Sequence, residues 1–500
     1  MGGGGVLERE GALVATTPKE LFIGGSWVPA RAGRRFGVED PARGEVLCDV
    51  ADAGVDDAQA AFDAACRAQD GWAATPPRER SEILRAGFAG VTAASDDLAL
   101  LMTLEMGKPL ADARAEVAYG ADFLRWFSEE AVRIDGRYNI APDGGSRIVT
   151  MRQPVGPCLL VTPWNFPLAM GTRKIAPALA AGCTMVVKPA HQTPLTTLAL
   201  AKILAAAGVP DGVVNVVTTT SPAEVAGAIL GDERLAKVSF TGSTAVGAQL
   251  AESAGRHVLR VSLELGGNAP FLVFDDADLD AAVDAALVAK MRNMGEACTA
   301  ANRFLVQSPL LDAFTERLTA RMAALRVGRG TDPGVEVGPL IDERQRAKVA
   351  RLVDGARDEG ASVLCGGRAL EGPGYFYAPT VLSGVGPESA VANEEIFGPV
   401  APVTGFGSDA EGIALANRTE HGLVAYAFVR DVERALRIAE SLACGMVGVN
   451  RGLVSNAAAP FGGVKRSGIG REGGREGIEE YVSVKYVAID RPSSDLSRWS

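Results

Sequence analysis

The sequence predicts an α/β protein with two parallel-sheet domains and a small β arm, and three patterns in its 500 residues lead there. From Gly156 onward, short apolar runs alternate with amphipathic stretches over short connections, as in strand–helix–strand units of a parallel sheet. A second series of the same kind starts near Pro270. Outside both lie Gly136–Pro154, which reads as a hairpin, and an alternating apolar segment near the C-terminus, Tyr481–Ile489.

In chain order, residues 1 to about 17 are expected to form a disordered tail. Met1-Gly2-Gly3-Gly4-Gly5 has no basic region followed by an apolar stretch, so no secretory leader is expected. Gly2 also lacks the Ser or Thr of a myristoylation signal. The first third then reads as long helices over Asp57–Trp72, Pro77–Ala94 and Leu110–Ile134, which carry apolar residues at three- and four-residue spacing. Pro142-Asp143-Gly144-Gly145 forms the turn between Tyr138–Ala141 and Arg147–Arg152. Strands follow at Cys158–Val161, Thr184–Lys188, Val213–Val217, Ala236–Phe240 and Arg260–Glu264, with the clearest helices at Leu195–Ala207 and Ser243–Ala254. The second series runs through strand Phe271–Phe274, helix Leu279–Met291, strand Arg303–Val306 and helix Leu310–Leu325, and on to about Val449. The resulting division gives one domain from 18–136 and 157–268, a second from 269–478, and an arm from 137–156 and 479–491. The exposed edge of the last strand invites pairing with another subunit, so a homodimer or homotetramer is expected.

A hydrophobic fraction of 47% with 22% charged residues is ordinary for a globular protein. The net charge of −11 argues against nucleic acid or an anionic membrane as partner. No apolar run is long enough to span a bilayer. Seven scattered cysteines without a CxxC pair suit reduced thiols in a cytoplasm. With only three histidines, neither a metal site nor a Ser-His-Asp triad is expected.

Several short segments carry chemistry. Cys298 lies in a loop of small residues, where it reads either as a nucleophilic thiol or as a buried small hydrophobe. Glu264 ends a strand beside the flexible Gly266-Gly267, a place for a base. In Thr162-Pro163-Trp164-Asn165-Phe166-Pro167, Asn165 is either a turn residue or a donor to a developing oxyanion. Lys188 ends a parallel strand, where such sheets bind ligands and where solvated lysines also sit. Gly242-Ser243-Thr244-Ala245-Val246-Gly247 opens a helix, either as a tight connection or as a phosphate cradle.

The ordered set Pro163–Pro167, Lys188-Pro189, Phe240–Gly247, Glu264–Gly267, Cys298, Glu394–Pro399 and Pro460–Gly463 resembles the aldehyde dehydrogenase superfamily over nearly the whole chain, from about Leu21 to Ile489. The resemblance implies two Rossmann-like α/β domains, NAD(P)-binding and catalytic, with a β oligomerisation arm. It also implies roles. Cys298 attacks the aldehyde to give a thiohemiacetal and then a thioester. Asn165 and the Cys298 backbone N–H form the oxyanion hole, and Glu264 activates water for hydrolysis. Thr162, Pro163, Trp164, Lys188, His191, Gly242, Ser243, Val246, Leu265, Glu395 and Phe397 match cofactor-binding positions.

Arg173, eight residues after Asn165, and Arg292, six before Cys298, stand where relatives for apolar aldehydes carry aromatic or apolar residues. Two guanidinium groups near one thiol imply an anionic aldehyde held by paired N–H bonds, with Ser455 and Phe166 completing the pocket. The alternative is that both arginines are structural ion-pair residues. The trio Arg173, Arg292 and Ser455 is similar to succinate-semialdehyde dehydrogenases, so succinate semialdehyde is the expected substrate. Glutarate semialdehyde or a broader aldehyde range is the alternative. Ala300 replaces the second cysteine of a redox switch found in that group. His191 replaces a glutamate frequent in NAD-specific relatives, and its imidazole, if protonated, would favour a phosphate. NADP is therefore the expected cofactor and NAD the alternative. Glu264 argues against a CoA-acylating relative, and intact Cys298, Glu264 and Asn165 argue against an idle scaffold.

Overall fold

A computed structural model describes residues 3–491 of the chain. The first sheet has eight strands in the order Ser26–Val28, Leu21–Ile23, Val214–Val216, Met185–Lys188, Cys158–Val161, Lys237–Thr241, Arg260–Glu264 and Gly468–Ile469. The middle five are parallel. The outer strands pair antiparallel, Leu21–Ile23 on one side and Gly468–Ile469 on the other. Strand order reverses between Cys158–Val161 and Lys237–Thr241. The carboxyl ends of those two strands splay their connections apart and open a crevice, where parallel sheets take ligands.

The second sheet has seven strands: Ser362–Cys365, Thr380–Ser383, Val400–Phe406, Ala301–Gln307, Ala269–Val273, Val424–Phe428 and Met446–Val449. Only the first pair is antiparallel. Val, Leu and Phe of the central strands are buried on both faces, as a sheet covered by helices on each side requires. The arm is a three-stranded antiparallel sheet in which Val482–Asp490 pairs along the whole of Ser146–Pro154, itself paired with Arg137–Ile140. Val484, Tyr486 and Tyr138 lie exposed on it. Among the described residues no helix is long and apolar enough to cross a membrane.

The structure corrects two expectations for the N-terminal region. Residues Gly3–Thr16 form a helix rather than a disordered tail, while Met1 and Gly2 lie outside the described residues. Val14 buries against Leu100 and Leu104, and Glu10 takes both guanidinium nitrogens of Arg329 at 3.0 and 2.7 Å. The first third is also not all helix. Leu21–Ile23 and Ser26–Val28 form a hairpin through Gly24 and Gly25, both at positive φ, and Arg35–Asp40 pairs with Glu45–Ala51. A two-glycine loop with both φ positive matches the twist of a tight hairpin, and this signal stood in the sequence.

Buried carboxylates hold helix starts in place. Glu105, at the end of helix Ser95–Met106, accepts from the N–H groups of Leu195 at 2.7 Å and Thr196 at 2.9 Å, in the first turn of helix Pro194–Ala206. That helix follows Lys188 and packs against the first sheet. Glu105→Ala strands two buried donors, so it is expected to cost about 2 kcal/mol, read as a lowered thermal midpoint relative to Glu105→Gln.

Candidate active site

A cavity of about 200 Å³ lies at the carboxyl ends of the first sheet and faces the second. Pro163, Trp164, Asn165, Gly242, Ser243, Glu264, Leu265, Cys298, Glu395 and Phe397 line it, so the structure gathers these expected residues on one surface. Gln345, Arg344 and Lys348, which sequence reasoning missed, line it too. Gly267 lets the two halves meet, since a Cβ there would sit 2.7 Å from the Cys298 carbonyl oxygen.

Burial sets the acid–base state. It raises the Glu264 carboxyl to about 7, against a partial offset from Arg173. Neither Glu264 oxygen has a hydrogen-bond partner among the described residues, so the carboxylate is free to take a water or a thiol proton. Burial and the nearby Glu264 push the Cys298 thiol well above its ordinary range. Thiol and carboxyl therefore do not ionise together, and Cys298 needs a base to become a thiolate. Tyr426, also missed, donates to the Thr299 carbonyl at 2.9 Å and steadies the loop after the thiol.

On the cofactor side, Ser243 caps helix Thr244–Arg256, accepting from Val246 N–H at 3.4 Å, and its first turn faces the crevice. Thr162 is buried, its N–H on the Lys188 carbonyl at 3.1 Å. Lys188 donates to the Pro189 carbonyl at 3.0 Å, and burial lowers its amine to about 8. Glu395 accepts from Gly267 N–H at 3.1 Å. Phe397 has a φ of 56°, which turns its ring edge-on to Trp164 with centroids 5.3 Å apart. At His191, burial and the neighbouring Lys188 lower the imidazole from its ordinary value, which disfavours the protonated form on which its contribution to phosphate binding was conditional. Buried oxygens without partners at Thr162 and Thr241, with Arg344 and Lys348 at the cavity wall, suit a polyanionic dinucleotide.

On the substrate side, Arg292, Phe166 and Ser455 cluster as expected. The Arg292 guanidinium lies 4.6 Å from the Phe166 ring centroid and donates to Ser455 Oγ at 3.4 Å. It makes no ion pair with a carboxylate among the described residues. Arg173 differs from its expected role as an equal partner. Fully buried, it places Nε 2.6 Å from Glu472 Oε2 and Nη2 3.8 Å from Glu264 Oε2, with Phe461 under its plane. The Nε contact is an ion pair lying off the N–H direction rather than a formed hydrogen bond. Lys174 binds the other Glu472 oxygen. The buried Tyr119 hydroxyl adjoins Arg173, Arg292 and Ser455 and completes the pocket.

The arrangement can form a thioester on Cys298 and hydrolyse it with Glu264 as base. Hydrolysis is then expected to slow as pH falls through about 7, because Glu264 is protonated below that value. A pH–kcat profile checks this, and Glu264→Gln, which removes the base for both the thiol and the water, is expected to lower kcat and to slow alkylation of Cys298 by iodoacetamide.

The chain matches the model of the aldehyde dehydrogenase family over residues 27–487. It is 60% identical over 447 residues to a protein of Paenarthrobacter nicotinovorans named succinate-semialdehyde dehydrogenase, covering 89% of this chain and 99% of that one. It is 49% identical over 471 residues, 94% of this chain and 98% of the other, to a Pseudomonas putida protein named glutarate-semialdehyde dehydrogenase. The crystal structure of an Escherichia coli NADP-dependent enzyme superposes with a TM-score of 0.94 at 49% identity, covering 95% of this chain and 98% of that one. The site geometry and these similarities agree, and the chain belongs to the aldehyde dehydrogenase family.

Proposed function

We propose that the protein oxidises succinate semialdehyde to succinate with NADP, with NAD as the alternative acceptor. The observation that carries the substrate is Arg292, a half-buried cation that has Ser455 and Phe166 as neighbours but no carboxylate partner among the described residues. A carboxylate tail seated there would gain charge-assisted hydrogen bonds and bring its aldehyde toward Cys298. Arg173, already paired with Glu472, adds positive field more than a free donor pair.

The chemistry then runs on residues of this chain. Glu264 takes the Cys298 proton, and the thiolate adds to the aldehyde carbon. The Asn165 side-chain amide and the Cys298 backbone N–H face the resulting oxyanion. The bound dinucleotide supplies the hydride acceptor. Glu264 releases the thiol's proton to solvent and then draws a proton from water, which adds to the thioester carbon and expels the Cys298 sulfur as thiolate. Ser243, Lys188, Arg344 and Lys348 hold the phosphates, while Glu395, Phe397 and Trp164 orient the reactive ring. The residue groups 18–136 with 157–268, and 269–478, serve as the cofactor-binding and catalytic domains. The NADP preference is supported by Lys188 and by the absence of a carboxylate at His191, and by the NADP-dependent enzyme of E. coli with its similar structure.

Glutarate semialdehyde is a second reading, favoured by the Pseudomonas putida relative. One methylene changes affinity only modestly. The exposed Val484, Tyr486 and Tyr138 on the 137–156 and 479–491 arm support assembly into a homo-oligomer.

Absorbance at 340 nm with NADP and NAD in parallel tests the reading, with butyraldehyde as the uncharged control. The semialdehyde is expected to be much the faster substrate, and faster with NADP. Arg292→Ala is expected to lower kcat/KM for succinate semialdehyde about 100-fold, the loss of a charge-assisted contact, with little change for butyraldehyde. Equal losses on both aldehydes would overturn the anionic-tail assignment.

A further inference from the structure

Buried hydrogen bonds join the Asn165 loop to the Cys298 loop, and the steps above make no use of them. The Asn165 carbonyl accepts from Lys108 Nζ at 2.7 Å and from Asn293 Nδ2 at 3.1 Å. The Glu296 carbonyl accepts from the same Asn293 Nδ2 at 2.8 Å and from Asn165 Nδ2 at 3.1 Å. One amide side chain therefore bridges two loops that each carry an oxyanion donor.

The bridge has a foundation. Lys108 is fully buried and ion-paired with Glu116. The other Glu116 oxygen accepts from Leu168 and Ala169 N–H groups at 2.9 and 3.1 Å, in the first turn of helix Pro167–Ala181. Asn293 N–H donates to Asp112 Oδ2 at 2.8 Å. Lys108 sits just before helix Leu110–Glu130 and Asp112 and Glu116 lie in its first two turns, so one rigid element holds both loops. Asn293 and Met294 each have a φ of 55° and Gly295 has 79°. A non-glycine residue stays in that region only where its surroundings over-determine it. Here the Asn293 side chain supplies that constraint directly before the thiol loop.

We propose that Lys108 and Asn293 are positioning residues for the oxyanion site. They fix the separation between the Asn165 amide and the Cys298 backbone N–H, so that an oxygen on a carbon bonded to Cys298 Sγ meets both donors. The inference rests on Cys298 as nucleophile, not on the identity of the aldehyde. Small displacements at such a site cost large factors in rate.

Two reactions of one thiol separate positioning from general integrity. With p-nitrophenyl acetate, the thiolate adds to the ester carbon and the carbonyl pair moves onto oxygen. That oxyanion then collapses to expel p-nitrophenolate, and water hydrolyses the acetyl thioester. With iodoacetamide, the thiolate displaces iodide and no oxyanion forms. In the full-length protein, Asn293→Ala is expected to lower ester hydrolysis about 100-fold while alkylation of the Cys298 peptide, followed by mass spectrometry, stays within about threefold. Lys108→Met is expected to show the same split, and Asn293→Ala decides alone if that variant does not fold. Unchanged ester hydrolysis, or a parallel fall of both rates, would overturn the proposal. Full ester turnover by Cys298→Ala would instead remove the nucleophile assignment on which it stands.

Discussion

Glu472 lies between the adjacent cations Arg173 and Lys174 in the buried floor of the site, and the ionisation of everything above it depends on that contact. Burial alone would raise the Glu472 carboxyl, but Lys174 and Arg173 outweigh it and hold the group ionised. Without this counter-charge, two buried cations would face Glu264 and pull its carboxyl down from about 7. A base that weak would not take a proton from a thiol which burial has made less acidic. Glu472 thus leaves Glu264 basic while Arg173 keeps a positive field over the pocket. It is itself held by paired backbone bonds with Phe461 at 2.7 and 2.8 Å.

The same contact ties distant parts of the chain. Arg173 and Lys174 sit on the helix that follows the first strand of the crevice, whereas Glu472 comes from the segment that sends Gly468–Ile469 onto the far edge of the first sheet. The thiol approaches from the second sheet, where it precedes strand Ala301–Gln307. Closing these parts over one another excludes water, which strengthens each remaining electrostatic interaction and penalises each unpaired charge. That penalty explains why the buried cations Arg173 and Lys174 share the Glu472 carboxylate. Arg292 stands out against it because it carries charge at the rim with no carboxylate among the described residues.

The parallel strands were legible because burial on both faces leaves continuous apolar runs, as in Cys158–Val161, whose bounds the structure reproduces, as it does those of helix Leu279–Met291. The N-terminal strands offered only the Gly24-Gly25 turn as a signal, because Leu21–Ile23 is short and its sheet contact is with Val216, far along the chain. The Gly3–Thr16 helix opens in glycines, and its ion pair to Arg329 is invisible until the chain folds back. Glu116 was a missed signal of another kind. It falls in the buried stripe with Ala113, Val117 and Gly120, where a charged residue implies a partner.

The sequence by itself determined the alternation of strands and helices and singled out Cys298, Glu264 and Asn165 as candidates, because each lies in a short local motif. Tertiary structure alone decided how the charges divide. Arg173 and Arg292 look equivalent as residues, yet folding gives one of them Glu472 and leaves the other open at the pocket rim. His191 likewise offered a cation on paper, but burial beside Lys188 disfavours its protonated form. Ionisation depends on desolvation and on partners hundreds of residues away, and neither exists before the two sheets close on each other.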